Sequence, residues 1–257
     1  MFSNKVVLIT GASSGIGAQT ALDFAKHDAK VVITARNSEK LNEIANQCTE
    51  ESPSCLKPSI VVADMNKESD VELIIKTVIE VHKQVDVLVN SVGILESGTI
   101  ENTDVSSFDR IMETNVRGPF LLTRLAVPYL IKTKGNIINV SSVTGLRSFP
   151  NVLAYCVSKA AIDQMTRCIA LELAPKGVRV NAVNPGVITT GLHMKSSMNE
   201  QQYEEFIKKC AETHALGRAG EPKEVSSVII FLASDSASFV TGVTLPVDGG
   251  RHAMCPR

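Results

Sequence analysis

The chain has 257 residues, is 44% hydrophobic and 21% charged, and carries a net charge of -1. That length allows one large domain or two small ones. The balanced charge leaves no basic surplus for nucleic acid or an anionic membrane.

Six cysteines (Cys48, Cys55, Cys156, Cys168, Cys210 and Cys255) show no C-x-x-C spacing. Nothing suggests a disulfide frame or a zinc site, so a reducing, cytoplasmic setting is expected. The five histidines show no ligand spacing either, and no metal is expected. A strand pattern already starts by Lys5, which argues against a signal peptide. No apolar run approaches the ~20 residues needed to span a bilayer. The last four residues, 254–257, are neither a prenylation box nor a peroxisomal tripeptide.

Lys5 to Thr10 is an apolar, β-branched run, read as a buried parallel strand. Gly11-Ala12-Ser13-Ser14-Gly15-Ile16-Gly17 follows at once, and a helical pattern runs from Ala18 to His27. Strand, glycine turn and helix form the architecture of a dinucleotide phosphate site. Gly11 permits the turn, Gly15 lets the backbone approach a pyrophosphate, and Gly17 lets helix and strand pack closely. The spacing is G-x-x-x-G-x-G rather than G-x-G-x-x-G.

Lys30 to Ala35 is the second strand, ending in Arg36-Asn37. An acid there would accept the ribose hydroxyls of NAD, and a base would pair with the 2'-phosphate of NADP. Positions 35–37 hold no acid and one arginine, which argues for NADP(H), with NAD(H) as the alternative. Ser38 to Glu50 is predicted helical. Ser59 to Ala63 is the third strand, ending in Asp64-Met65. Asp64 can accept from an adenine amino group or cap a turn. Glu68 to Lys83 is helical, and Val85 to Val89 is the fourth strand, ending in Asn90-Ser91-Val92-Gly93.

Asp104 to Lys132 reads as mostly helical, with a bend expected at Gly118-Pro119. Asn136 to Val140 is the fifth strand, ending in Ser141-Ser142, and Val178 to Val183 the sixth, ending in Asn184-Pro185-Gly186. Residues 191–215 are polar with a mixed helical pattern, long enough to form a lid. Glu221 to Ser234 is a further helix, and Thr244 to Val247 the last strand. This alternation predicts one α/β domain over 1–257, a doubly wound, mainly parallel seven-stranded sheet with ligands at the carboxyl ends of its strands.

Between the fifth and sixth strands lies an apolar helical run from Leu153 to about Ala174, containing Tyr155 and Lys159. Residues i and i+4 share a helix face, with Cβ atoms ~6 Å apart. A free tyrosine titrates near ~10. An ammonium ~5 Å away at an effective dielectric of ~20 is worth ~3 kcal/mol, enough to lower that value by roughly two units. Such a phenol can trade protons near neutral pH. The pair alone also fits a packed tyrosine beside a solvated lysine. Cys156 points about 100° away from Tyr155 and is read as packing.

The glycine loop, Ser141-Ser142 and Pro185-Gly186 should border one crevice with Tyr155. A serine hydroxyl there can hydrogen-bond a carbonyl or alkoxide. Hydride chemistry belongs to a nicotinamide, and the protein supplies position and proton.

Over its full length the chain resembles a single-domain, Rossmann-fold short-chain dehydrogenase/reductase. The matching motifs are Thr10-Gly11-x-x-x-Gly15-Ile16-Gly17, Asp64, Asn90-x-x-Gly93, Asn115, Ser142, Tyr155-x-x-x-Lys159 and Asn184-Pro185-Gly186-x-Ile188-x-Thr190. The resemblance implies that Ser142 orients the substrate oxygen and Tyr155 is the general acid/base. It implies that Lys159 lowers the tyrosine pKa and holds the nicotinamide ribose, while the backbone at Asn115 anchors a proton-relaying water. Ile188 and Thr190 would hold the carboxamide end, and Ser13, Arg36 and Asn37 the 2'-phosphate. The remaining cofactor set is Gly11, Ser14, Gly15, Ile16, Gly17, Asp64, Met65, Asn90, Gly93, Pro185 and Gly186. Ser142 is preferred over Ser141 on its thirteen-residue spacing to Tyr155.

One departure stands out. The family's Asn-Asn-Ala-Gly reads Asn90-Ser91-Val92-Gly93, which should cost a sheet-tying amide and add bulk near the adenosine ribose. A homotetramer or homodimer is also implied, built on the helices near Asn115 and Tyr155 and on the segment from Val243 to Gly250.

The leading expectation is an NADPH-dependent carbonyl reductase, or the reverse alcohol dehydrogenase. An NAD-dependent alcohol dehydrogenase, an inactive cofactor-binding regulator and a redox-neutral enzyme are the alternatives. The substrate contacts expected are Ser142, Val143, Thr144, Leu146, Leu153, Val187, Leu192, Met194, Met198, Tyr203 and Phe206. Their apolar character points to a hydrophobic ketone, aldehyde or alcohol.

Overall fold

The protein is described from a computed structural model covering residues 1–192 and 199–255. Seven strands form one sheet: β1 (Val6–Thr10), β2 (Lys30–Ala35), β3 (Ser59–Val62), β4 (Val87–Asn90), β5 (Asn136–Val140), β6 (Arg179–Pro185) and β7 (Thr244–Val247). Their order is β3-β2-β1-β4-β5-β6-β7, and every pairing is parallel. The order reverses between β1 and β4, and at such a switch point the loops after neighbouring strands part to leave a crevice.

Successive strand residues point to opposite faces. In β1, Val7 and Ile9 pack on one face with Phe24, Leu41 and Ile229. Val6 and Leu8 pack on the other with Ile74, Leu122 and Leu173. Apolar side chains on both faces require helices on both. The first layer contains α1 (Gly15–Lys26), α2 (Ser38–Glu51) and the Pro222–Ala233 helix. The second contains α3 (Glu68–His82), α5 (Gly118–Thr133) and α7 (Leu153–Leu173). β7 is an edge strand, where Pro246 costs no inner ladder bond.

The stretch predicted to bend at Gly118-Pro119 is irregular one turn earlier. α4 (Val105–Met112) runs into a π-helical turn, Glu113–Arg117, closed by the Gly118 N–H on Glu113 O. Pro119 then sits in the first turn of α5, where a missing donor costs nothing. Asn115 lies inside the π turn. Beyond it come α6 (Val143–Leu146), α8 (Glu200–Lys208), α9 (Cys210–Thr213) and α10 (Pro222–Ala233). No helix among the described residues is long and apolar enough to cross a membrane.

Candidate active site

A cavity of about 1220 Å³ opens across the carboxyl ends of the strands. Gly11, Ser13, Ser14, Gly15, Ile16 and Gly17 line it. Gly11 has φ +67°, and a Cβ there would meet Ser91 O at 2.8 Å, so this turn admits only glycine. Gly15 has φ +57°, and a Cβ would stand 3.1 Å from Thr190 Cγ2, narrowing the cleft. Ser14 caps α1 without a side-chain hydrogen bond, and the first turn holds no acid. The free N–H groups of that turn therefore present partial positive charge to the cleft.

Arg36 and Asn37 line the same wall, joined by Lys40, which the sequence reading missed. Neither Arg36 nor Lys40 has an ion-pair partner among the described residues. Asn37 Oδ1 accepts from Lys40 N at 2.9 Å and caps α2, which holds Lys40 one turn into that helix. Asp64 and Met65 reach the cleft, while Asp64 Oδ1 also closes a turn on Asn66 N at 3.1 Å. Ser91, Val92 and Gly93 line it from β4. The N–H groups of Ser91 and Val92 bond Thr10 Oγ1 at 3.0 and 3.3 Å. A glycine cradle, a bare helix start and two unpaired cations fit a dinucleotide carrying phosphates.

Asn90, expected among the cofactor contacts, turns its side chain into the sheet. It does not line the cleft. Its amide bonds Asn139 Oδ1 at 2.9 Å and Thr123 Oγ1 at 3.1 Å, and Asn139 in turn bonds Thr166 Oγ1 at 2.9 Å. This buried chain ties β4 and β5 to α5 and α7. A residue inside a strand points into one layer, so its amide serves the sheet rather than the loop beyond it.

Ser142, Tyr155 and Lys159 meet in the cleft. Ser142 caps α6, its Oγ accepting from Thr144 N at 3.2 Å, and lies against the phenol. The neighbouring Ser141 hydroxyl donates to Lys159 O at 3.2 Å. Lys159 Nζ gives a hydrogen bond to Val140 O at 2.9 Å and stands 5.6 Å from the Tyr155 ring centre. A Cβ on Gly93 would touch Lys159 Nζ at 3.5 Å and Asn115 Oδ1 at 3.6 Å, so the two converge there. The Asn115 side chain clamps Ile94 through its N–H (2.8 Å) and carbonyl (2.9 Å) and bonds Ser158 Oγ at 3.0 Å. It does not itself line the cleft.

Burial sets the charges. It pushes the Tyr155 phenol up to about 12, with Ser142 pulling the other way. It pushes Lys159 down to about 8, opposed by Asp163. The expected lowering of the tyrosine by Lys159 is therefore not seen in the protein alone. The phenolate would lose its hydration, and that cost outweighs an ammonium whose own charge is weakened. Asp163 is buried too. It accepts from Asn184 Nδ2 at 2.9 and 3.1 Å, and the same amide bonds Ser142 O at 2.9 Å.

At the other end the cleft is lined by Val143, Thr144, Val187, Leu192 and Phe206. Thr144 Oγ1 is buried without a partner. Leu146 and Leu153 do not line the cleft. Leu153 lies two residues before Tyr155, about 200° round the helix. Leu146 ends a single turn and faces solvent at 36% exposure. Tyr203 does not line the cleft either, and donates to Thr190 O at 3.4 Å. Cys156 Sγ lies 3.9 Å from Phe149 O, outside the cleft, as its packing role requires. Met194 and Met198 lie outside the described residues. Pro185, Gly186, Ile188 and Thr190 all reach the cleft. Sequence reasoning missed Ile94, Phe149 and Arg251 in the lining, and behind Val187 the buried His214, whose Nε2 accepts from Val187 N at 3.1 Å.

Among the described residues no cluster of histidine, cysteine or acidic side chains has the geometry of a metal site.

A family model described as enoyl-(acyl carrier protein) reductase matches residues 11–252. An uncharacterized oxidoreductase of Thermotoga maritima is 40% identical, covering 98% of this chain and 99% of its own. A short-chain dehydrogenase/reductase of unknown function from Caenorhabditis elegans, solved with cofactor, is 35% identical. It superposes with a TM-score of 0.92 over 99% of this chain and 97% of its own. The 3-ketoacyl-(acyl-carrier-protein) reductase of Brucella melitensis, complexed with NADH, is 35% identical with a TM-score of 0.87 over 97% and 99%. The chain belongs to the short-chain dehydrogenase/reductase family of nicotinamide-dependent oxidoreductases.

Proposed function

We propose that this enzyme is an NADPH-preferring carbonyl reductase, interconverting an apolar ketone or aldehyde and the matching alcohol. The observation that carries the reading is Tyr155, protonated by burial and placed against Ser142 inside the cleft. A bound nicotinamide supplies the hydride in reduction and accepts it in oxidation.

The protein's own residues do the rest. The Ser142 hydroxyl donates to the substrate oxygen and fixes the carbonyl. As negative charge grows on that oxygen, Tyr155 gives it the phenolic proton. Lys159, when protonated, offsets the phenolate left behind. Asn184 holds the Ser142 main chain and Asp163 holds Asn184, so the oxygen-binding group is fixed before substrate arrives. Arg36 and Lys40 support the NADP(H) preference, because two unpaired cations at the β2 end suit a 2'-phosphate. Ser13, Asn37 and the α1 N-terminus complete that end. Val143, Val187, Leu192 and Phe206 support an apolar substrate body.

We read residues 1–257 as one cofactor-binding domain, since all seven strands share one sheet. We also propose self-association, as a homotetramer or homodimer. Phe120 on α5 and Val157 and Leu171 on α7 are 48%, 42% and 80% exposed, and such apolar helix faces are suited to pairing.

The test is turnover of a panel of ketones with NADPH by wild type and Tyr155→Phe. Wild-type reduction that disappears in the variant, with NADPH binding kept, supports the reading. Equal activity in both removes Tyr155 as the proton donor. Turnover with no net change in the cofactor would point to redox-neutral chemistry.

A further inference from the structure

Among the described residues five cationic side chains line the cleft: Arg36, Lys40, Arg110, Lys159 and Arg251. Two are already committed. Lys159 bonds Val140 O, and Arg110 forks onto Glu96 at 2.7 and 2.8 Å. Arg36 and Lys40 stand after β2, where the nucleotide end of the site lies. Arg251 stands after β7, five strand positions away, or ~24 Å at ~4.8 Å per strand. It therefore serves the other end of the cleft.

The surroundings of Arg251 are those of a binding group. Its guanidinium lies 4.6 Å from the centre of the Phe149 ring, which also lines the cleft. Stacking on a ring covers the guanidinium face and leaves the edge N–H donors free. No carboxylate within ion-pair distance satisfies them among the described residues. Asp248, three residues earlier in the chain, is occupied: it accepts from His252 N at 2.6 Å, from Gly250 N at 3.1 Å and contacts His252 Nδ1 at 3.0 Å. Arg147 Nε donates to His252 O at 2.9 Å and ties this segment down. The result is a partly buried, unpaired, positioned cation. Burial lowers its pKa from the usual guanidinium value, and Cys210 and Asp248 offset that cost only in part.

We propose that Arg251 binds a carboxylate of the substrate, so that the physiological carbonyl compound is an oxo acid rather than a neutral ketone. This rests on the carbonyl-reductase reading and replaces its neutral substrate by one that carries a carboxylate beside the apolar chain. The apolar wall of Val143, Val187, Leu192 and Phe206 then holds the carbon chain between the reacting carbonyl at Tyr155 and the acid at Arg251. The reaction itself is unchanged: hydride to carbon, phenolic proton to oxygen, carboxylate unaltered.

The experiment compares 2-, 3- and 4-oxo acids with their methyl esters, using whichever reduced cofactor binds more tightly. At the best chain length the acid is expected to exceed its ester in kcat/KM at least about tenfold, the scale of one charge-assisted hydrogen bond, through KM. Arg251→Met is expected to bring the acid-to-ester ratio near one. Arg251→Lys, which keeps the charge but not the fork, is expected to give an intermediate ratio and serves where the methionine variant folds poorly. An ester used as well as its acid by wild type, or an acid preference that survives both substitutions, overturns the assignment. If esters are reduced and acids gain nothing, Arg251 alone is misassigned. If no acid, ester or simple ketone is reduced, the reductase reading fails and this inference with it.

Discussion

Lys159 Nζ stands 5.6 Å from the centre of the Tyr155 ring and gives a hydrogen bond to Val140 O. Burial moves the two groups in opposite directions, the phenol up to about 12 and the ammonium down to about 8. At neutral pH the phenol therefore holds a proton to give, and Lys159 is the group that titrates first. Reduction, measured as kcat/KM at saturating reduced cofactor, is expected to stay level below about pH 8 and to fall above it as Lys159 loses its charge. Lys159→Met should be slow at every pH and lack that limb. A wild-type profile that rises through pH 8 would mean the phenolate is the working form.

Tyr155→Phe removes the proton but keeps the ring. A loss of about 10²–10⁴ in kcat is expected, with cofactor affinity kept in fluorescence titration. A loss below about tenfold would assign the proton to another group.

Asn90 separates a sheet role from a cofactor role. Its amide holds Asn139 and Thr123 in a buried chain that runs on to Thr166. Asn90→Leu leaves Asn139 Oδ1 short of a donor and should cost about 1–3 kcal/mol in denaturant unfolding. The cofactor KM is expected to stay nearly constant. A large rise in that KM with unchanged stability would restore Asn90 to the cofactor site.

The architecture was legible because each strand is a short β-branched run and each helix has its own period. The parallel sheet follows from the alternation of strands and helices, and the helices on both faces from strands such as β1, where Val7 and Ile9 face one layer and Val6 and Leu8 the other. The glycine loop and Tyr155-x-x-x-Lys159 were legible because one turn of local geometry fixes them. What was not legible depends on long-range contact. Leu153 shares a helix with Tyr155 but not its face. The charge on Tyr155 depends on burial by the whole fold, which outweighs the neighbouring lysine. Lys40 and Arg251 look like ordinary surface cations until β2 and β7 bring them to opposite ends of one cleft. The π turn at Asn115 comes one turn ahead of the proline that signalled it.

His214 makes stability depend on pH. Its Nε2 accepts the Val187 N–H, which requires an unprotonated nitrogen there. Burial and Arg251 hold its pKa below the usual value. A histidine with a depressed folded pKa adds stability above its unfolded pKa of ~6.5 and loses it as the pH falls below that. His82, also depressed by burial, acts in the same direction. Wild-type Tm is therefore expected to drop more steeply below about pH 6.5 than that of His214→Gln, in which only the His82 part remains. Parallel Tm curves for the two proteins would show that His214 does not carry this linkage.

The most direct measurement is binding of NADPH against NADH by fluorescence titration, on wild type and on Arg36→Asp. Wild type is expected to bind NADPH at least about tenfold more tightly, as a charge-assisted contact to the 2'-phosphate requires. The aspartate variant should lose or reverse that preference. Equal or tighter NADH binding by wild type would contradict it and point to oxidation of an alcohol with NAD.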